Sequence, residues 1–500
     1  MRNRIGLSLS AFTLLLGSGC YVNRAALDPW GYAPSSSDQV WTPKKLITSM
    51  VTQAPEGPEI PYGEHPLSLA ELIDVALLNN TQTKQTWAQA RAAAAQYGQS
   101  QSQFFPSLDG NFSFLRTRDS SLFTGAGSSA TTTGNTANAG VSTGNQLFIV
   151  TFNEWGPQLA LNYVIFDFGQ RRASSESARQ ALYYADYTHN RNIQTLLQTI
   201  TTDYYHLLYE KQLLDAYAQN VETAQVTLDA ATLGLDTGVK DVSDTLQAKT
   251  QFLQNEIQYV GQKQLVQNSY ASLLSHMGLP ANKEFPIEPL PTALPLDDDM
   301  PMLETLLSTA LQFRPDYLAA QAEYRSKEQS VKAAKAQNWP TVKYTLDFGR
   351  TYYSGGLNDN YDYTSTFSLS VPIFSGYYYM NNIKIAEANK EQAQAEMDQV
   401  ELQVIKDVTT SHYNVQIAFE TLKCSVAYYA SAKEQYTVAL AQYKQGTNTI
   451  LDVVSAQSSL ADARAQKASA IQGWYSSLTS LAYALGCITK PSPANEDGTR

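Results

Sequence analysis

Gly446-Thr447-Asn448-Thr449-Ile450-Leu451-Asp452-Val453-Val454-Ser455-Ala456-Gln457 is the most distinctive run of the chain, a glycine-containing turn that leads into a helix start. Its glycine stands 208 positions after Gly238, and Thr449-Ile450-Leu451-Asp452 stands 208 after Asp241-Val242-Ser243-Asp244. The same offset carries Met277-Gly278-Leu279 onto Leu485-Gly486-Cys487, and Tyr163-Val164-Ile165-Phe166 onto Val371-Pro372-Ile373-Phe374. Earlier in the chain the offset becomes 234: Phe104-Phe105-Pro106-Ser107-Leu108 matches Asn338-Trp339-Pro340-Thr341-Val342, and Leu69 to Leu78 matches Leu303 to Gln312. Anchors that keep two constant offsets mark a tandem duplication, and a repeat fixes architecture before any local reading does. The first copy therefore carries 26 extra residues between Pro106 and Phe166. Thr124 to Asn145, almost all Gly, Ser, Thr, Ala and Asn, accounts for most of them and reads as a surface loop.

The duplication divides the chain. Residues 65–285 form the first repeat and 302–487 the second, joined across 286–301 by a stiff extended linker rich in proline (Pro286, Pro289, Pro291, Pro295, Pro301). Residues 1–19 read as a cleaved export signal: Arg2 and Arg4, the apolar run Ile5 to Leu16, then Gly17-Ser18-Gly19 before Cys20. That run is too short to span a bilayer with ease. Cys20 sits where bacterial lipoproteins are cut and acylated, although Gly17 stands where a large apolar residue is usual; an ordinary signal with an incidental cysteine is the other reading. Residues 20–64 form a polar, lipid-anchored N-terminal arm, and 488–500 a disordered tail.

Each copy holds two stretches of period-two alternation. Leu108, Phe112 and Phe114 share a face, as do Leu159, Leu161, Tyr163 and Ile165; in the second copy so do Val342, Tyr344, Leu346 and Phe348, then Phe367, Leu369 and Val371. One apolar face means half-buried strands. A soluble sheet packed on a core satisfies that pattern. Tyr344, Phe348, Tyr352 and Tyr353 marking one strand end, with Tyr361, Tyr363 and Tyr377 to Tyr379 flanking its partner, fit the aromatic girdles of a membrane barrel instead. Four strands cannot close a barrel, and an open edge in lipid leaves backbone groups unsatisfied, so such a sheet requires further copies of the chain. Two chains would bring about eight strands and three about twelve, and alternation alone does not choose between them.

Gln170 to Asp236 is free of proline and rich in Ala, Gln, Leu and Glu, as is the matching run from Tyr379 to about Lys444. As helices these would each be roughly 100 Å long, too long for a compact domain. In the return run, Leu246, Thr250, Leu253, Ile257 and Val260 follow 4-3-4-3 spacing, which predicts a coiled-coil seam. Long antiparallel helices beside membrane strands predict a tube wall, with a plain coiled-coil stalk as the alternative.

Charge and motifs narrow the function. With a net charge of −11 and no basic block, the chain offers nothing to hold nucleic-acid phosphates. His65, His189, His206, His276 and His412 lack metal-ligand spacing, and whether Cys424 and Cys487 meet is open. The chain shows no nucleophile motif, phosphate loop or cofactor signature, so neither enzyme chemistry nor a cofactor is expected. A mean hydropathy of −0.30 is too polar for a bundle of membrane helices.

The element order, with Phe105-Pro106-Ser107-Leu108, Val371-Pro372-Ile373-Phe374-Ser375-Gly376 and the Gly446 to Gln457 run, resembles the TolC-like outer-membrane efflux family over nearly the whole chain. The resemblance implies a mostly α protomer with a membrane β portion, assembled as a homotrimer with a trimeric 12-stranded β-barrel and a periplasmic 12-helix α-barrel. It implies a periplasmic adaptor and an inner-membrane efflux pump as partners, outer-membrane lipid around the barrel, and, with Cys20, the lipid-anchored branch. Carried over by position, Ser243, Asp244, Tyr443 and Asp452 would line the periplasmic aperture. Asn448 stands where a basic residue can brace the closed state, and Ser455 where a second ring-forming aspartate can occur. A ring of carboxylates in a narrow opening favours cations, while a local reading makes Asp244 and Asp452 third-position capping acids. The expected function is a passive duct for drugs or other toxic small molecules; a type I protein-secretion duct and a structural or adhesive outer-membrane lipoprotein are the alternatives.

Overall fold

The computed structural model describes residues 28–41, 66–123, 146–238, 240–281, 285–289, 301–354 and 360–488. The expected signal, Cys20, much of the arm, the Thr124 to Asn145 loop, most of the linker and the tail after Ile488 lie outside the described residues. Two compact units share the chain: Met1–Gly98, Glu176–Glu328 and Ala388–Arg500 in one, Gln99–Ser175 and Gln329–Glu387 in the other.

The elements run α1 (Leu69–Asn79), α2 (Thr81–Ser102), β1 (Ser107–Phe123), β2 (Gln146–Phe166), α3 (Gln170–Asp236), α4 (Val242–His276), then α5 (Leu303–Phe313), α6 (Pro315–Ala336), β3 (Thr341–Tyr353), β4 (Asn360–Ser370), α7 (Tyr378–Lys444) and α8 (Ile450–Ala484). The four helices of each copy have the same lengths: 11, 22, 67 and 35 residues. The strands differ, 17 and 21 residues in the first copy against 13 and 11 in the second, so the extra residues lengthen the first hairpin. β4 ends at Ser370, which leaves Val371 outside the strand expected to contain it.

The larger unit is helical. Ser68 and Glu71 form a capping box that starts α1. Its apolar residues Leu72, Ile73 and Ala76 pack with Ile193, Ile200 and Leu207 of α3 and Leu273 and Leu274 of α4, all buried. Full burial of each large aliphatic side chain contributes about 1.5–3 kcal/mol. The first residues of the linker are tied to this core, since Leu67 and Ile287 form a parallel bridge. α3 and α4 run antiparallel, joined through Asn255 to Asn220, Gln262 to Glu210 and His276 to Asp203.

The expected seam of α4 is not made within one chain. Leu246, Leu253, Ile257 and Val260 are exposed, Ile257 by 74%. The buried face carries Ala248, Asn255, Gln262 and Ser269, spaced by seven and small or amide, joined toward the end of the helix by Val266, Tyr270, Leu273 and Leu274. Small side chains let the backbones approach, and the amides bond across the gap to main-chain oxygens of α3, so the polar stripe is the intramolecular seam.

The repeat extends to side-chain roles. Asn80 Nδ2 donates to the His276 carbonyl at 2.8 Å, and at the equivalent positions Arg314 donates to the Ala484 carbonyl at 3.4 Å. Gly278 and Gly486 both have positive φ, +77° and +72°, and added Cβ atoms would lie 2.8 Å from the Asn79 carbonyl oxygen and the Arg314 Cα respectively. Only glycine meets both demands at these corners. Arg314 is buried and also binds Asp316 and Asp407, the latter at 2.6 Å.

Part of the N-terminal arm is docked rather than loose. Asn190 of α3 exchanges hydrogen bonds with both the amide and the carbonyl of Trp41, and Trp87 donates to the Pro34 carbonyl at 2.9 Å. Cys424 and Cys487 are free and exposed.

Candidate functional site

The second unit contains one antiparallel sheet in the order β1-β2-β3-β4. Directly paired residues of an antiparallel sheet share a face. The register therefore gathers the alternating apolar residues on one side: Leu108 with Leu161 and Leu346, Leu159 with Phe348 and Tyr363, Tyr163 with Tyr344 and Phe367, and Val342 with Leu369. Phe112, paired with Pro157, falls on the same face, and several of its residues are widely exposed, Phe112 by 72% and Phe367 by 72%. The opposite face carries Asp109, Ala160, Asp347 and Thr364 in one row and Asn162, Thr345 and Thr366 in another.

Aromatic rings bound the apolar band at both ends. Toward the hairpin tips Phe114, Trp155 and Tyr352 follow one another at 6.4 and 6.2 Å. Toward the strand ends that lead into helices lie Tyr344 with Phe367 at 4.6 Å and Phe166, Phe168 and Trp339 at 4.8 and 5.3 Å. Tyr344 and Tyr352 thus sit at opposite ends of the band, where the sequence reading had put them at one. From Val342 to Tyr352 is 11 residues, and a tilted membrane strand needs about 9–11.

The second candidate region belongs to the helical unit, at the turns α3–α4 and α7–α8. Thr449 and Asp452 form a full capping box at the start of α8, which holds the Asp452 carboxyl below the usual aspartate range. The duplicated position behaves differently. Asp241 caps α4 through the Val242 amide, and Asp244 makes no box. Its carboxylate instead accepts from the Tyr443 hydroxyl at 3.2 Å, tying the end of α7 to the start of α4. Tyr443 is 2% exposed, and burial together with the Asp244 charge pushes its hydroxyl up to about 12, so it is a donor at any physiological pH. Ser243 is exposed beside Asp244. The structure thus joins Tyr443 and Asp244 directly, while Asp452, with Asn448 and Ser455, lines a shallow groove of its own along α7 and α8.

A family model described as outer membrane efflux protein matches residues 72–279 and 306–487, the greater part of both repeats. The chain belongs to this family. Its members are outer-membrane channels and not enzymes. Among relatives, Protein CyaE of Bordetella pertussis is 23% identical over 80% of this chain and 79% of its own length. Outer membrane protein TolC of Escherichia coli K12 is 22% identical over 68% and 71%. A probable outer membrane lipoprotein, SilC of Salmonella typhimurium, is 24% identical over 62% and 67%. The solved outer-membrane channel OprN superposes with a TM-score of 0.72 at 19% identity, covering 85% of this chain and 91% of that one.

Sequence reasoning missed one partner in this efflux protein. Lys240 places its ammonium 4.3 Å from the centroid of the Tyr443 ring. Its duplicated counterpart is Asn448, which donates to Gln442 at 3.0 Å instead. The 208 offset could have flagged Lys240 as the cation that the second turn lacks. Among the described residues no three His, Cys, Asp or Glu side chains converge as a metal site requires.

Proposed function

We propose that the protein is the outer-membrane channel of a tripartite efflux system, passively conducting small toxic compounds from a periplasmic pump–adaptor complex to the exterior. The observation that carries this reading is the four-stranded sheet, apolar and girdled on one face and polar on the other, with β1 and β4 left as edges. In lipid those edges must be paired, and three copies close a barrel of about twelve strands with the polar face inward. The exposed apolar stripe Leu246, Leu253, Ile257 and Val260 favours the same assembly, because a neighbouring helix hairpin would cover it.

In this reading Tyr443 and Asp244 latch the periplasmic aperture, Ser243 lies beside them, and Asp452 contributes one carboxylate of a ring while also capping α8. Cys20 carries the lipid anchor after removal of the signal, a reading supported by its small-residue context and by a relative named as a lipoprotein. Native mass spectrometry of the membrane-extracted protein tests the assembly. A three-chain mass is expected; a stable monomer or a two-chain particle would contradict the closed barrel.

A further inference from the structure

Charge is sorted between the two faces of the sheet. By register, Arg116 pairs with Asn153 and Arg118 with Thr151, which places both arginines on the apolar face, beyond Phe114 and Trp155 toward the hairpin tip. Arg350 pairs with Tyr361 on that same face, and its guanidinium lies 5.0 Å from the ring centroids of both Tyr352 and Tyr361. Among the described residues these three are the charged side chains of that face. Asp109, Glu154, Asp347, Asp362 and Lys343 all fall on the other one.

Arg116 and Arg118 are exposed and one strand repeat apart, about 7 Å along β1. No described carboxylate forms an ion pair with either. Arginines just beyond an aromatic girdle sit where acyl chains give way to headgroups, and a guanidinium there matches a phosphate with paired hydrogen bonds. Arg116 and Arg118, on an otherwise apolar wall with no described carboxylate paired to them, form a surface complementary to anionic lipid.

We propose that this rim binds the phosphate groups of a phosphorylated glycolipid of the outer leaflet. Arg116 and Arg118 hold the phosphate, and the acyl chains lie along the apolar band below, which Arg350 enters at the Phe112 row, stacked on Tyr352 and Tyr361. The proposal rests on the reading of the sheet as part of an outer-membrane barrel. It commits to lipid rather than free phosphate because the cations are continuous with an exposed apolar face that a free ion would not use.

The test is native mass spectrometry of delipidated oligomer titrated with bisphosphorylated lipid A, dephosphorylated lipid A or phosphatidylethanolamine. The proteins compared are wild type, the Arg116→Gln/Arg118→Gln double variant and Lys343→Gln as an opposite-face control. Preferential retention of the bisphosphorylated lipid is expected, weakened about tenfold or more in the double variant and unchanged in Lys343→Gln. Equal retention by wild type and double variant, or equal retention of the phosphate-free lipid, would overturn the site. Complete displacement by inorganic phosphate would overturn the commitment to lipid. Cell fractionation of the same proteins separates the two levels: absence of wild type from the outer membrane sinks the barrel reading, whereas correct insertion without selective binding sinks this proposal alone.

Discussion

The Tyr443 hydroxyl donates to the Asp244 carboxylate at 3.2 Å across the duplication, joining the last turn of one long helix to the first turn of another. The two turns are copies in sequence but not in use. Asp452 spends its carboxylate on its own helix start, whereas Asp244, at the same position of the other copy, reaches a neighbouring hairpin. Leu235 holds the place equivalent to Tyr443 in the first copy and has no hydroxyl to offer, so the tie is made once per chain.

This asymmetry separates two channel properties. Asp452→Asn should reduce cation preference while leaving the closed state nearly as tight, because in the proposed assembly it neutralises one carboxylate of the ring without touching the Tyr443 contact. Reversal potentials under a salt gradient give the readout. A large rise in conductance with unchanged selectivity would reverse the assigned roles.

The corners at Gly278 and Gly486 should fail alike. Each combines a positive φ with a close backbone neighbour, so Gly278→Ala and Gly486→Ala should each destabilise by about 1–3 kcal/mol or more. Thermal unfolding checks this, and a neutral result at either corner would contradict the close packing described.

Arg314 should matter more than its counterpart Asn80. Arg314→Ala removes the buried cation that binds Asp316 and Asp407, which keep Arg191 and Gln403 as partners, together with the hydrogen bond to the Ala484 carbonyl, a loss of about 1.5–3 kcal/mol. Asn80→Ala removes hydrogen bonds of ordinary strength, about 1 kcal/mol. Comparing the two variants by chemical unfolding tests the difference.

Asp186 gives a pH signature. It is fully buried with no hydrogen-bond partner for either carboxylate oxygen among the described residues, and burial pushes it up to about 9. A raised carboxyl keeps its proton when folded but loses it when unfolded, so its cost grows from about pH 4 and levels off near pH 9. Asp186→Asn should therefore stabilise increasingly over that window, by a few kcal/mol at its alkaline end. A stability difference that does not change with pH would contradict the buried neutral acid.

Much of the architecture was legible because repetition and period are global signals. Offsets of 234 and 208 locate every helix of the second copy from the first, and alternation such as Leu159, Leu161, Tyr163 finds the apolar sheet face. The α4 stripe is not the contact made within the chain, because apolar spacing marks a helix face that will be covered without saying by what. Within one chain the close approach is made by Ala248, Asn255, Gln262 and Ser269, whose partners are backbone oxygens absent from any sequence pattern. The capping acids were recognisable as a pair, but which one would be diverted to Tyr443 depends on how the two hairpins pack. The 208 offset marks Lys240 as the basic counterpart of Asn448, but not its ring partner Tyr443, which lies some two hundred positions away.

Single-channel conductance of the purified oligomer in a planar bilayer tests the central claim most directly, comparing wild type with Tyr443→Phe/Asp244→Ala. Wild type should give small cation-preferring steps and the variant larger ones, because the tie between the α7 end and the α4 start is gone. A confirmed oligomer that forms no channel in either protein would contradict the duct. Equal steps in both would move the constriction away from these turns.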